Sequence, residues 1–161
     1  MSPDIEIIGD GCAALSLAAR ASELNHNIRL IKPSNAPTTN DHVWGFWSDP
    51  ILASAQQLAR ATWQKWAIIT HNDCAVLSSE TRPYNAFKRS DWSEHCKGLA
   101  ELSKVTIVAE HEWEKSADSL LFDTRPPVIP NDCMLQHFQG IEVKTKQPCF
   151  DKDMAILMYF R

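Results

Sequence analysis

The segment Ile5-Glu6-Ile7-Ile8-Gly9-Asp10-Gly11-Cys12-Ala13-Ala14-Leu15-Ser16-Leu17-Ala18-Ala19 constrains this chain more than any other. A short run rich in isoleucine meets two glycines, and small residues with helical character follow at once. That order reads as strand, tight turn and helix start, the opening half of a βαβ unit that binds dinucleotides. Each small residue has a physical task. Gly9 permits the sharp turn, Gly11 has no side chain to keep a pyrophosphate from the backbone, and Ala14 lets the helix pack close to the strand. Asp10, Cys12 and Ala13 complete the turn. Free N–H groups at the helix start, with the positive end of the helix dipole, would face the phosphates.

The second half of the unit follows in order. Asn25-His26-Asn27 reads as a helix stop, and Ile28-Arg29-Leu30-Ile31 as the next strand. The end of that strand usually carries an acid for the ribose hydroxyls; Lys32 stands there instead. A lysine could pair with a 2′-phosphate, which would favour NADP over FAD, or simply be solvated. Asp10 adds negative charge near the expected phosphates. A strand–helix turn that binds nothing is the plainer reading of the same residues.

Composition excludes several classes. A formal net charge of −4 over 161 residues gives no electrostatic case for nucleic acid. The hydrophobic share of 44% and charged share of 22% are ordinary for a globular protein, and the length suits one domain with a real core. No apolar run approaches the roughly 18 residues of a membrane span. No signal peptide is expected, and the expected location is the cytoplasm. Five scattered cysteines without a C-x-x-C pair read as reduced thiols, and the six histidines build no metal site.

Along the chain, Pro33 to Asp41 reads as a loop and His42-Val43-Trp44-Gly45-Phe46-Trp47 as an unusual aromatic block. Ala67–Thr70 and Cys74–Leu77 read as strands across the turn His71-Asn72-Asp73. Ser90 to Leu102 is predicted to be a helix with Ser90 as N-cap and an apolar face of Trp92, Cys96, Leu99 and Leu102. Val105–Val108 and Ser119–Asp123 are predicted strands, the latter ended by Pro126-Pro127. Gln136–Val143 and Met154–Phe160 read as strands of an antiparallel sheet. The chain stops inside that last strand-like run, so the fold is expected to be cut short.

Five blocks come in an order and spacing that resemble the lycopene cyclases, flavin-dependent enzymes of carotenoid synthesis. They are Gly9–Ala14, Asp41–Trp47, Phe122–Arg125, Gln136–Val143 and Ala155–Arg161. The resemblance spans the chain but only the N-terminal part of such an enzyme. It implies acid-initiated cyclisation of the ends of a linear carotene such as lycopene, without net oxidation. Reduced FAD would stabilise the carbocation, NADPH would supply the electrons, and the protein would lie peripherally on the inner membrane.

The resemblance implies roles for particular residues. Gly9 to Ala14, Lys32, Asp123 and Arg125 fall on the cofactor side, although Asp123 and Arg125 could equally form a surface ion pair. Trp44, Phe46, Trp47 and Tyr159 fall on the substrate side, where ring faces would attract a cation; the tryptophans could equally pack the join between sheets. Tyr159 stands where the family usually has Asp. The acidic motif that donates the proton is expected beyond Arg161, so no catalytic residue is assigned and these residues alone are expected to be inactive.

The expected architecture is therefore α/β. A Rossmann-like FAD/NAD(P)-binding βαβ sheet (residues 1–40 and 88–130) is interleaved with part of an antiparallel substrate-domain sheet (41–87 and 131–161). A generic FAD/NAD(P)-dependent oxidoreductase of hydroxylase type shares this opening, as does a non-catalytic nucleotide-binding remnant.

Overall fold

The computed structural model describes residues 3–35, 41–130, 132–134 and 140–160. The chain divides into two units, Met1–Trp44 with Phe87–Pro126, and Gly45–Ala86 with Pro127–Arg161.

The first unit starts with β1 (Ile5–Ile8), fully buried, followed by α1 (Cys12–Ala18), the short α2 (Ala21–Leu24) and β2 (Ile28–Lys32). Asn25 ends α2 in the left-handed conformation at φ 54°, a geometry that asparagine tolerates better than most residues. The chain then enters β3 (Val43–Trp47), which leads into the second unit. There follow α3 (Ala53–Gln57), β4 (Ala61–Trp63), β5 (Lys65–Ile69), β6 (Cys74–Ser78) and β7 (Tyr84–Lys88). Back in the first unit come α4 (Arg89–Leu102), β8 (Thr106–Ala109) and β9 (Leu120–Asp123). The last strand, β10 (Met154–Tyr159), belongs to the second unit.

Four strands of the first unit form one parallel sheet in the order β8-β2-β1-β9. Ile5 lies opposite Ile28 and Leu120, and Ile8 opposite Ile31 and Asp123, so the strands end together at one edge. A parallel sheet needs its faces covered, and α1 and α4 supply one cover. Ile5, Ile7, Leu15, Ala18, Leu30, Cys96 and Ala100 make one core cluster, joined by the partly buried Trp92.

Helix α4 departs from its predicted capping and face. Ser90 sits inside the helix rather than at its N-cap, which is Lys88. The cap comes from outside: Asp41 accepts from the Ser90 N–H at 3.0 Å and from its hydroxyl at 2.8 Å. Those bonds hold the Asp41 carboxyl below its ordinary pKa. Cys96 and Ala100 carry the buried face, whereas Leu102 is 81% exposed. The predicted stripe leaves the core at its last turn, where Ala100 is buried in the cluster with α1 and Leu99 and Leu102 are exposed.

The buried Cys96 thiol has its pKa pushed up to about 11, by burial first and by the neighbouring Cys12, against a bond from Ser16 that lowers it. The other four cysteines are exposed. At pH 8 a thiol reagent is therefore expected to label four cysteines of the folded chain rapidly. Cys96 is expected to react only after denaturation, and rapid labelling of all five would contradict this packing.

At the centre of the sheet lies a carboxylate. Glu6 is fully buried and accepts from Arg29 Nη1 (3.2 Å), Trp113 Nε1 (2.9 Å), Ser116 N–H (3.1 Å) and Ser119 Oγ (2.6 Å). It fixes the segment between β8 and β9 against the sheet.

In the second unit β5 pairs antiparallel with β6, as read from the sequence, but β10 pairs parallel with β5. The antiparallel reading of Met154–Phe160 is thus corrected. Its partner lies some ninety residues earlier, and local alternation carries no information about strand direction. The register slips between Ile156 and Met158, a bulge at Leu157. The strand read over Gln136–Val143 lies partly outside the described residues, and 140–143 are irregular. A third sheet, ordered β3-β7-β4, is set by the buried Asn85, which donates to Ser48 Oγ at 2.8 Å and accepts from Thr62 Oγ1 at 2.9 Å.

Candidate functional site

The C-terminal ends of the parallel strands open onto a cleft of about 400 Å³ within the first unit, a volume within the range of small-molecule sites. A hollow of similar size, about 410 Å³, opens at the other edge of the sheet by His26, Asn27 and Lys104. In doubly wound sheets the carboxyl edge is where ligands bind, because loops and helix starts converge there. The first cleft is therefore the candidate site.

Its floor is the turn after β1. Gly9 has φ +139°, and a β-carbon there would collide with Thr124 Oγ1. The turn is stapled on both sides: Gly9 N–H donates to Ile31 O at 3.0 Å, and Thr124 donates to Ile8 O through its N–H (2.9 Å) and hydroxyl (2.8 Å). Gly11, the N-cap of α1, is extended and makes no side-chain cap bond, and the first turn of the helix contains no acid. A β-carbon at Gly11 would meet no atom within 4 Å. Among the described residues the helix start is thus left polar, without a side-chain cap, and accessible. Such a donor set and such space fit the diphosphate of a dinucleotide.

The residues expected on the cofactor side do not all face the cleft. Gly9, Asp10, Gly11 and Cys12 line the cleft. Ala13 is exposed on the first turn of α1, and Ala14 is fully buried in the core behind it. Ala14 thus serves close helix–sheet packing. Lys32 is exposed at the last position of β2, and the cleft is lined by the residues just after it, Pro33 and Asn35. Arg125 lines the cleft while gripping Asp123, which does not, at 2.6 and 2.9 Å. Hydrogen bonds from Arg125 hold the Asp123 carboxyl below its ordinary pKa, and Asp123 in turn raises that of Arg125.

Sequence reasoning missed several wall residues. Arg89, His42 and Thr124 line the cleft, from α4, from the segment before β3 and from the end of β9. His42 and Thr124 stand inside the blocks Asp41–Trp47 and Phe122–Arg125 without a role of their own there, Arg89 lies outside every block, and only the fold brings the three together. His42 accepts from Trp44 Nε1 at 2.8 Å through Nε2, which leaves the neutral ring's proton on Nδ1. Trp44 itself lines the cleft and meets Phe87 edge to face.

The aromatics expected on the substrate side are divided between the units. Trp44 belongs to the first. In the second, Trp47 packs edge-on against Trp66 and Tyr84, and Tyr84 stacks on Trp63. Phe46 is half-buried on β3, and Tyr159 is half-exposed on β10 opposite Ile69. Among the described residues no group of His, Cys, Asp or Glu assembles as a metal site, and no helix is long and apolar enough to cross a membrane.

Comparison with solved structures finds the fold of this chain in several larger proteins. It is similar to the tetrameric form of 2-methyl-3-hydroxypyridine-5-carboxylic acid oxygenase (TM-score 0.52, 18% identity, covering 65% of this chain and 30% of that one). It is similar to the P. aeruginosa protein PqsL solved with 2-aminobenzoylacetate (TM-score 0.53, 9% identity, 67% and 33% covered). It also resembles the peptidyl tryptophan dihydroxylase QhpG (TM-score 0.51, 13% identity, 83% and 35% covered). At these identities the likeness is one of fold, and the chain spans about a third of each neighbour's length. No curated protein matches the sequence. The family described as lycopene cyclase protein matches residues 4–161, and on that match the chain belongs to the lycopene cyclase family.

Proposed function

We propose that this chain forms the dinucleotide-binding part, and a share of the substrate-binding part, of a lycopene cyclase that closes the ends of a linear carotene. The observation that carries the reading is the open start of α1 beside Gly9 and Gly11, set in a cleft with Arg89 and Arg125. Backbone N–H groups of the turn take the diphosphate of FAD, and Arg89 adds positive charge, whereas the charge of Arg125 is already met by Asp123 and Glu110. Reduced FAD, with NADPH as its electron source, supplies when bound a fixed negative charge that favours a tertiary carbocation in the adjoining polyene.

Of the chain's own aromatics, Trp44 lines the cleft, where its ring face attracts a cation without attacking it; Phe46, Trp47 and Tyr159 belong to the second unit and serve the polyene there. The residues of 1–40 and 88–130 serve the cofactor, and those of 41–87 and 131–161 the carotene. No residue of this chain is assigned as proton donor. Because the substrate is dissolved in a bilayer, the protein works from the cytoplasm at the surface of the inner membrane.

Two measurements test this. In cells that accumulate lycopene, the complete gene encoding these residues is expected to convert the linear pigment into cyclic-ended carotenes. Unchanged linear pigment contradicts the cyclase reading. Consumption of NADPH and oxygen stimulated by an aromatic acid would replace it with a hydroxylase.

A further inference from the structure

The end of β2 carries Lys32 where a dinucleotide's ribose normally meets an acid, yet the structure holds a carboxylate one strand away. Lys32 is paired in register with Ala109, the last residue of β8, and the next residue is Glu110. Glu110 reaches back across that junction. Its Oε2 accepts from the Ser34 N–H at 3.0 Å, just beyond β2, and its Oε1 accepts from Arg125 Nη1 at 2.8 Å. Pro33 and Asn35, on either side of Ser34, line the cleft, and so does Arg125. A single carboxylate therefore ties together two walls of the candidate site.

We propose that Glu110, supplied by β8, takes over the ribose-binding task that the β2 terminus has lost. The site would then be specific for an adenosine diphosphate moiety with free ribose hydroxyls. Three features support the exchange. The Glu110 side chain is 30% exposed and sits just outside the cleft lining, anchored to Arg125 of that lining and to Ser34 between Pro33 and Asn35. A carboxylate has about four lone-pair sites, and the two bonds described above use two of them. Its grip on Ser34 and Arg125 fixes its position before any ligand arrives, which lowers the entropic cost of capture. A carboxylate at this place repels a 2′-phosphate, whereas Lys32 points to the opposite preference. On this proposal the site favours FAD-type over NADP-type recognition, a choice that the β2 residue alone leaves open.

The inference rests on the dinucleotide reading above, and the test separates the two. Calorimetric titration of the 161-residue chain would use FAD, ADP, 2′-deoxy-ADP, 3′-deoxy-ADP and 2′,5′-ADP, with the native protein and with Glu110→Gln and Lys32→Ala. Native protein is expected to bind ADP about tenfold more tightly than at least one deoxy analogue, a typical worth of one charge-assisted bond. It is expected to discriminate against 2′,5′-ADP. In E110Q both preferences should fall toward unity, while K32A should keep them. If E110Q weakens ADP and both deoxy analogues equally, Glu110 is only a structural clamp and the proposal fails. If 2′,5′-ADP binds best and K32A abolishes that preference, Lys32 is the determinant and the proposal fails. If neither FAD nor ADP binds a folded native chain, the dinucleotide reading fails and takes this one with it.

Discussion

Replacing Gly9 by alanine is expected to destabilise the chain by about 3 kcal/mol or more and to abolish dinucleotide binding. Two costs combine. The backbone stands at φ +139°, which side-chain-bearing residues rarely adopt, and the new methyl group would enter the space of Thr124 Oγ1. Thr124 cannot easily yield, because its N–H and hydroxyl both bond Ile8 O. Gly11→Ala is the informative control. Its methyl group meets nothing within 4 Å and the backbone there is extended, so stability should change by no more than about 0.5 kcal/mol. The same methyl group would stand where a diphosphate must approach, and affinity for FAD should fall about tenfold or more. Thermal unfolding and calorimetric titration of the two variants separate folding from binding. Equal stability loss in both would contradict the geometry.

Glu6→Ala should cost about 3–5 kcal/mol, the range for removing one partner from a buried charged network. The variant leaves Trp113 Nε1, Ser119 Oγ, the Ser116 N–H and Arg29 without their shared acceptor. Burial alone would raise the Glu6 pKa and is the largest single influence, but the bonds from Ser119, Trp113 and Ser116 and the charge of Arg29 together hold it below the ordinary 4.5. The sign of the pH dependence follows. A carboxyl group whose folded pKa lies below its unfolded one contributes fully above the unfolded value, and the contribution disappears as pH falls through the folded value. Native protein should therefore lose stability on acidification below about pH 4.5, and Glu6→Ala should show a shallower acid slope. Denaturant midpoints across that range test it; parallel slopes for the two proteins would remove Glu6 from the account.

Much of the fold was legible because it is local. Ile5 to Ala19 encodes a strand, a turn and a helix within consecutive residues, and Asn25 marks the stop with a side chain suited to positive φ. The hairpin over Lys65–Ser78 was equally accessible. What escaped is non-local. Val43–Trp47 showed as an aromatic block but not as a strand, because its neighbour β7 lies some forty residues downstream. The direction of β10 depends on a partner still farther away. The capping of α4 follows the same rule: Ser90 has the right chemistry for a cap, but Asp41 reaches it through the fold and takes the role. At the site, the glycines were readable while the parts played by Arg89, His42 and Thr124, and the bond from Arg125 to Glu110 outside the lining, were not, since distant segments must align before those side chains meet.

Cofactor binding and the chemistry proposed from it both depend on contact between the turn after β1 and a diphosphate. Its most direct test is a titration of isotope-labelled protein with FAD, followed by the backbone amide resonances. Saturable shifts centred on Gly9 through Ala14, with smaller ones at Arg89 and Arg125, are the expected result. A well-folded sample in which those amides stay in place, or in which the shifts gather instead around His26 and Lys104 at the opposite edge of the sheet, would contradict it.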